Sequence, residues 1–200
     1  MVIAPTLVTI VVGVALGLGL GGSAHRALRL RPDLWQIGVA ALALQLISQL
    51  FAISGGVSVA IDLVSRGALI GVALANLRIG GMIVVTIGLA LDFIVTLVNW
   101  GMPTSRSALV SAGLIDEGEA GSISLTGARH LADGDLLRFL GEIVPLPTGQ
   151  VVSIGDLVTL VGVALVIMAV LRGRILPRDA VPINAEAASE RLARVGGRGS

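Results

Sequence analysis

The sequence predicts an all-α integral membrane protein, a bundle of about five transmembrane helices. Three observations lead there. The chain is 54% hydrophobic and only 14% charged, with a mean hydropathy of +0.95, where soluble domains carry roughly 25% charged residues. Its charged residues leave long gaps: none occurs from Met1 to Ala24, from Leu34 to Ile61 or from Leu157 to Leu171, and Asp92 alone interrupts Ile79–Trp100. A hydrocarbon core of ~30 Å needs ~20 apolar residues in a helix, and these gaps have that length.

In chain order, hydropathy places spans at about 2–21, 34–53, 59–77, 79–100 and 153–171. The first lacks the basic n-region of a cleaved signal peptide and is longer than such a core, so a retained helix is expected. The third is weaker, with Asp62 and Arg66 in its first half; Arg78 and Gly80-Gly81 separate it from the fourth. The fifth opens with Ser153-Ile154-Gly155-Asp156, a capping-box pattern before an apolar run. An acid there also complements the helix dipole.

Residues 1–172 thus form one transmembrane domain, and 173–200 a largely disordered basic tail, within which Asn184–Val195 is a candidate for a transient helix. The tail arginines are placed to touch anionic lipid headgroups. Between spans four and five, residues 101–152 carry six acids against Arg106, Arg129 and Arg138. A short outer-face helix is expected at Asp133–Leu140, stopped by Gly141, with an extended descent forced by Pro145 and Pro147. Ala112–Ser124, acidic and rich in Gly and Ser, is expected to be mobile.

All fourteen basic residues are Arg, and their placement orients the chain. Arg26, Arg29 and Arg31, then Arg78, then the arginines from Arg172 onward all fall on one face of a five-span bundle. The positive-inside rule makes that face cytoplasmic, with the N-terminus and the acidic segment outside a bacterial plasma membrane. Trp35 and Trp100 stand at span edges, where an aromatic belt lies.

Composition also excludes chemistry. Without Cys there is no disulfide, thiol nucleophile or Cys-based metal site, and His25 and His130 are too few for a His-rich one. No catalytic residue, cofactor or metal is assigned. Gly17-x-Gly19-x-x-Gly22 matches a dinucleotide fingerprint only as a string, since it closes a membrane span instead of following a strand. Gly13, Gly17 and Gly21 instead line one helix face for close packing, against another helix of this chain or against a membrane-protein partner or second copy. No basic–aromatic pattern points to nucleic acid.

Seven residues are candidates for function. Asp92 lies ~12 Å below the outer interface at 1.5 Å per residue, and ionisable groups at depth face a partner or a wet cavity; Arg66 is the matching counter-charge. Gln45 and Gln49, one turn apart beside Ser48, are amides that seek interhelical partners or line a polar pathway. Asn99, His130 and Glu142 belong to the outer segment, where a His with carboxylates could serve acid–base chemistry or bind a metal, but no motif spacing accompanies them and an ordinary loop role is the leading reading.

Leu74-Ala75-Asn76-Leu77-Arg78, Asn99-Trp100-Gly101-Met102-Pro103-Thr104-Ser105, His130, Gly141-Glu142-Ile143-Val144-Pro145-Leu146-Pro147 and Ser153-Ile154-Gly155-Asp156 occur in this order. In that order they make a chain that resembles a family of uncharacterised bacterial multi-pass membrane proteins, defined as a domain of unknown function. The resemblance covers most of residues 1–172 and implies the fold and topology, without a reaction. The chain departs from the family pattern at Asp92, where an amide is usual, and at Glu142, where an Asp is.

The leading expectation is a non-enzymatic accessory or assembly component of the cell envelope. A small transporter or channel using Asp92, Arg66, Gln45 and Gln49 is the alternative. A membrane-embedded enzyme or ligand-binding protein with its site on the outer face comes third.

Overall fold

In the computed structural model, which describes residues 3–116 and 125–176, seven helices and a small sheet follow one another along the chain. The helices are α1 (Ile3–Gly19), α2 (Ala24–Arg29), α3 (Trp35–Leu50), α4 (Gly56–Ala75), α5 (Met82–Asn99), α6 (Arg106–Ser111) and α7 (Ile154–Arg172). The strands are β1 (Met102–Thr104), β2 (Arg129–Leu131), β3 (Glu142–Leu146) and β4 (Gln150–Ser153). The expectations for the acidic segment 117–124 and the tail 177–200 lie outside the described residues.

Three helices, α4, α5 and α7, are long and apolar enough to cross a membrane, at 20, 18 and 19 residues. At 1.5 Å per residue they reach ~27–30 Å. The other two expected spans are shorter apolar helices, α1 with 17 residues and α3 with 16, or ~24–26 Å. The chain breaks each early: Gly21 and Gly22 end α1, and Ala52, with φ +48°, turns the chain after α3.

The five long helices pack mainly in the order α3–α4–α5–α7–α1, an open row with α3 and α1 at its ends. The seam between α5 and α7 is the tightest. A Cβ on Gly162 would lie 2.6 Å from the Val85 backbone nitrogen, and one on Gly88 would run into Thr159 and the Gly155 carbonyl. Glycine therefore lets these two backbones touch. The α1–α7 contact works the same way, with Gly13 against Ala164 and Ile167 and Gly17 against Leu171. Thus α7 occupies the Gly13–Gly17 face from within the chain, while Gly21 lies beyond the helix with open space where a Cβ would be. A partner reaching that face would have to displace α7.

An all-α fold does not describe the 101–152 segment, which forms a four-stranded mixed sheet in the order β2-β1-β3-β4. Strand β1 runs parallel to β2 and β3, and β3–β4 is an antiparallel hairpin. The expected Asp133–Leu140 helix is also absent. In its place a 3-10 turn spans Arg138–Leu140, and a helix forms earlier, as α6. The reason is local: Gly134 and Leu137 both have positive φ, and the Asn99 side chain holds the Leu136 backbone by both its N–H and its C=O. Those groups are then unavailable to a helical ladder. Beneath the sheet, Ala108, Leu109 and Val151 make a small core with Ala112, Ile115, Leu125 and Leu131 around it.

At the far ends of the helices, Arg26 donates to the Arg172 carbonyl, Ile79 bridges Ile175, and the Leu176 N–H meets the Arg78 carbonyl at 2.9 Å. The molecule therefore has an arginine-rich end and a sheet end.

Candidate functional site

Asp92 projects from α5 toward α4 and α7 and is 1% exposed. Its Oδ2 accepts from the Arg66 guanidinium at 2.9 Å, and its Oδ1 from the Ser153 hydroxyl at 2.6 Å. Arg66 is one turn after Asp62 on α4 and donates to that carboxylate at 2.7 Å. The Arg66–Asp92 pair is the one the sequence suggested; the shares of Asp62 and Ser153 are additions that the structure supplies.

Ser153 acts twice. Its hydroxyl oxygen accepts the Asp156 backbone N–H at 2.8 Å while its proton goes to Asp92. The Asp156 carboxylate in turn accepts the Ser153 N–H at 3.3 Å, completing the capping box. The cap of α7 and the buried carboxylate are thus one hydrogen-bonded unit. Gly155 is required in it, because a Cβ there would collide with the Asp92 carboxylate. One cation is set among three acids, Asp62, Asp92 and Asp156. Buried hydroxyls on the same helices, Ser65, Thr96 and Thr159, have no hydrogen-bond partner among the described residues.

The outer candidates sort into two neighbouring groups. In the first, Asn99 reaches back to the Val95 carbonyl at 3.0 Å and clamps Leu136. His130 Nε2 meets Asp135 at 2.8 Å, and Gly101 leaves room for the other ring nitrogen, 2.8 Å from where a Cβ would stand. Burial would raise the Asp135 carboxyl, but hydrogen bonds from His130 and the Asp133 N–H hold it below its ordinary value. In the second group, strand register sets Glu142 beside Thr104. The Thr104 hydroxyl donates to Glu142 Oε2 at 2.8 Å, and Arg129 lies 3.5 Å from the same oxygen. Burial nonetheless pushes the Glu142 carboxyl above its usual value, with Arg129 opposing. Both groups draw on β2, which carries His130 and Arg129, and among the described residues no side-chain hydrogen bond joins them. Among the described residues, no three His, Cys, Asp or Glu side chains gather in a way that could hold a metal ion.

Gln45 and Gln49 stand apart on α3. Gln45 is half-buried and Gln49 exposed, and no hydrogen bond links either to Asp92 or Arg66. Sequence reasoning gave no role to Asn76, which is fully buried. Its amide accepts the Asp33 N–H and donates to the Asp33 and Val72 carbonyls, each at 2.8 Å, tying the entry of α3 to the end of α4. The signal was present, since an Asn in the last turn of an apolar helix needs partners for its amide.

With this geometry in view, a family of unknown function, DUF5317, matches residues 33–168. The chain belongs to that family. Comparison with curated proteins and with solved structures yields no match. The DUF5317 region takes in α3 through nearly all of α7, including the sheet and the Asp92 group, and leaves α1 and the tail outside it. Several residues in the strings that carried the resemblance now have physical duties. Asn76 ties two helices, Asn99 clamps a loop, Gly101 and Gly141 admit His130 and Pro103, and Gly155 admits Asp92.

Proposed function

We propose that this chain is a multi-pass protein of the bacterial plasma membrane, serving as a non-enzymatic accessory or assembly component of the cell envelope. The observation that carries this reading is how its polar candidates are used. Asp92, Asn99 and Glu142 each end on groups of the chain itself, so these three side chains hold helices and strands in place. The apolar side chains point the other way: Leu7, Val8, Val11, Leu42, Leu50 and Val64 are all more than half exposed, a surface suited to lipid or to another membrane protein.

In this proposal α1 and α3 cross the bilayer with α4, α5 and α7. Extending them by their apolar flanks, to Gly21 and Ile53, brings each closer to the required length. The arginine-rich end faces the cytoplasm, and the sheet end, with Trp100 and Phe139 exposed, lies at the outer surface. Mild-detergent purification from the native host tests the role: a defined protein complex is expected, and recovery of a lone monomer would contradict it.

A second reading, a small transporter, has one observation in its favour. Asp62, Asp92 and Asp156 outnumber Arg66, and the Ser65, Thr96 and Thr159 hydroxyls are buried without partners. Proton or cation flux into vesicles that disappears with Asp92→Asn would favour it; no flux with either protein would remove it.

A further inference from the structure

At the end opposite the sheet, backbone hydrogen bonds join three segments that are far apart in sequence. The Ser23 N–H donates to the Leu171 carbonyl at 2.8 Å, and the Leu176 N–H to the Arg78 carbonyl at 2.9 Å. The start of α2, the end of α7 and the turn between α4 and α5 therefore lie side by side, and their arginines follow one another. Arg26 crosses the end of α7: its Cδ is 3.3 Å from where a Cβ on Gly173 would stand, and its guanidinium donates to the Arg172 carbonyl. Arg174 comes next, with its carbonyl 3.8 Å from where a Cβ on Gly80 would stand. Arg78 closes the row and pairs with Asp33 at 3.5 Å.

Asp33 is the one acid at this end among the described residues. Arg26, Arg172 and Arg174 form no ion pair with a described residue. The bond from Arg26 to the end of α7 is what a helix C-terminus asks of a nearby cation. It occupies one N–H of a guanidinium that has several. Like charges gathered with no acid between them repel and call for an anion. Apolar side chains stand exposed in the same segments, with Leu28 at 83% and Leu20 and Leu176 both above half.

We propose that the Arg26–Arg172–Arg174 row is a binding site for an anionic phospholipid, with the guanidiniums on its phosphate and Leu20, Leu28 and Leu176 beside its acyl chains. Guanidinium forks match phosphate oxygens two at a time, and basic pockets at the cytoplasmic ends of membrane helices take such headgroups. The leucines select a lipid over a soluble anion. A free phosphate would satisfy the arginines and leave the apolar side chains bare, whereas a phospholipid supplies both partners. Net charge selects among lipids, because a zwitterionic headgroup brings its own ammonium to repel the row.

The inference rests on the membrane reading, and its test keeps the two apart. Full-length protein in dodecyl maltoside is mixed with phosphatidylglycerol or phosphatidylcholine, and native mass spectrometry counts the lipid retained. Phosphatidylglycerol should be held about tenfold more tightly, and Arg172→Gln with Arg174→Gln should abolish most of that preference. Neither guanidinium bonds a described residue, so the pair of changes leaves the fold intact. Arg106→Gln with Arg138→Gln removes as many charges from exposed positions at the sheet end and should change nothing.

Equal retention of the two lipids, retention of neither, or equal losses from both pairs of changes would each overturn the site. Displacement of phosphatidylglycerol by an equal concentration of inorganic phosphate would contradict the lipid as its occupant. Alkaline extraction of phosphatidylcholine vesicles carrying the protein reports separately on membrane insertion. Loss of the protein into the supernatant refutes the membrane reading, and an embedded protein without lipid preference refutes this site alone.

Discussion

Replacing Arg66 with Met should be the most damaging single change within the helices. Met roughly preserves the length of the aliphatic stem and removes the guanidinium. Asp92, 1% exposed, then keeps the Ser153 hydroxyl and loses the guanidinium at its other oxygen, while Asp62 loses its partner one turn away. Removing one member of a buried pair typically costs 3–5 kcal/mol, because the other charge stays buried and uncompensated. Asp92→Asn is the informative comparison. It can still accept the Ser153 proton through its amide oxygen, and Arg66 retains Asp62, so the loss should be about 1–3 kcal/mol. The double variant should be less damaged than the sum of the two, with a coupling of about 1–3 kcal/mol. Thermal unfolding in detergent reads all three; at roughly 2–4 °C per kcal/mol for a chain of this size, Arg66→Met should lose about 10 °C. If Arg66→Met is no worse than Asp92→Asn, or the two effects simply add, the buried ion pair is not what holds α4, α5 and α7 together.

Other outcomes follow from the same contacts. Gly155→Ala and Gly88→Ala should each destabilise by at least the ~1–3 kcal/mol of overpacking. Gly71→Ala, in open space on α4, should instead gain about 0.5–1 kcal/mol. Asn99→Ala should release the Leu136 loop and speed proteolysis near Asp133–Leu137, leaving the helices resistant. For pH, burial raises Glu142, so its contribution is fully present below the ordinary value of 4.5 and lost as pH rises through the raised one. The stability of wild type relative to Glu142→Gln should therefore fall as pH climbs above 4.5. Asp135 behaves oppositely, because its carboxyl is lowered. The advantage of wild type over Asp135→Asn should be present at neutral pH and shrink as pH falls below about 3.8.

The helical part of this fold was legible because its signals are local and long. Charge-free runs of apolar residues announce helices, and Ser153-x-x-Asp156 announces a cap within four residues. Even the Asp92–Arg66 pair could be inferred, since a charge at depth needs a counter-charge and Arg66 was at matching height. The sheet was illegible for the opposite reason. Its strands have three to five residues, too few for alternation to register, and Pro103 and Pro145 argue against strands by the usual rule. Pairing of β1 with β2 and β3 joins segments far apart in sequence, which no local pattern records. Leu136-Leu137-Arg138-Phe139-Leu140 read as helix because its competitor for backbone hydrogen bonds, Asn99, is thirty-seven residues away. Helix ends were less legible where hydropathy continues past them: α1 stops at Gly19 and α3 at Leu50, short of the apolar flanks that run to Gly21 and Ile53.

In the proposed membrane bundle the sheet end lies outside and the arginine-rich end inside. Single cysteines at exposed Ser107 and exposed Arg174, labelled in intact cells with a membrane-impermeant maleimide, address it directly. Ser107→Cys should label in intact cells, and Arg174→Cys only after the membrane is opened. Labelling of both positions in intact cells, or the reverse pattern, would contradict it.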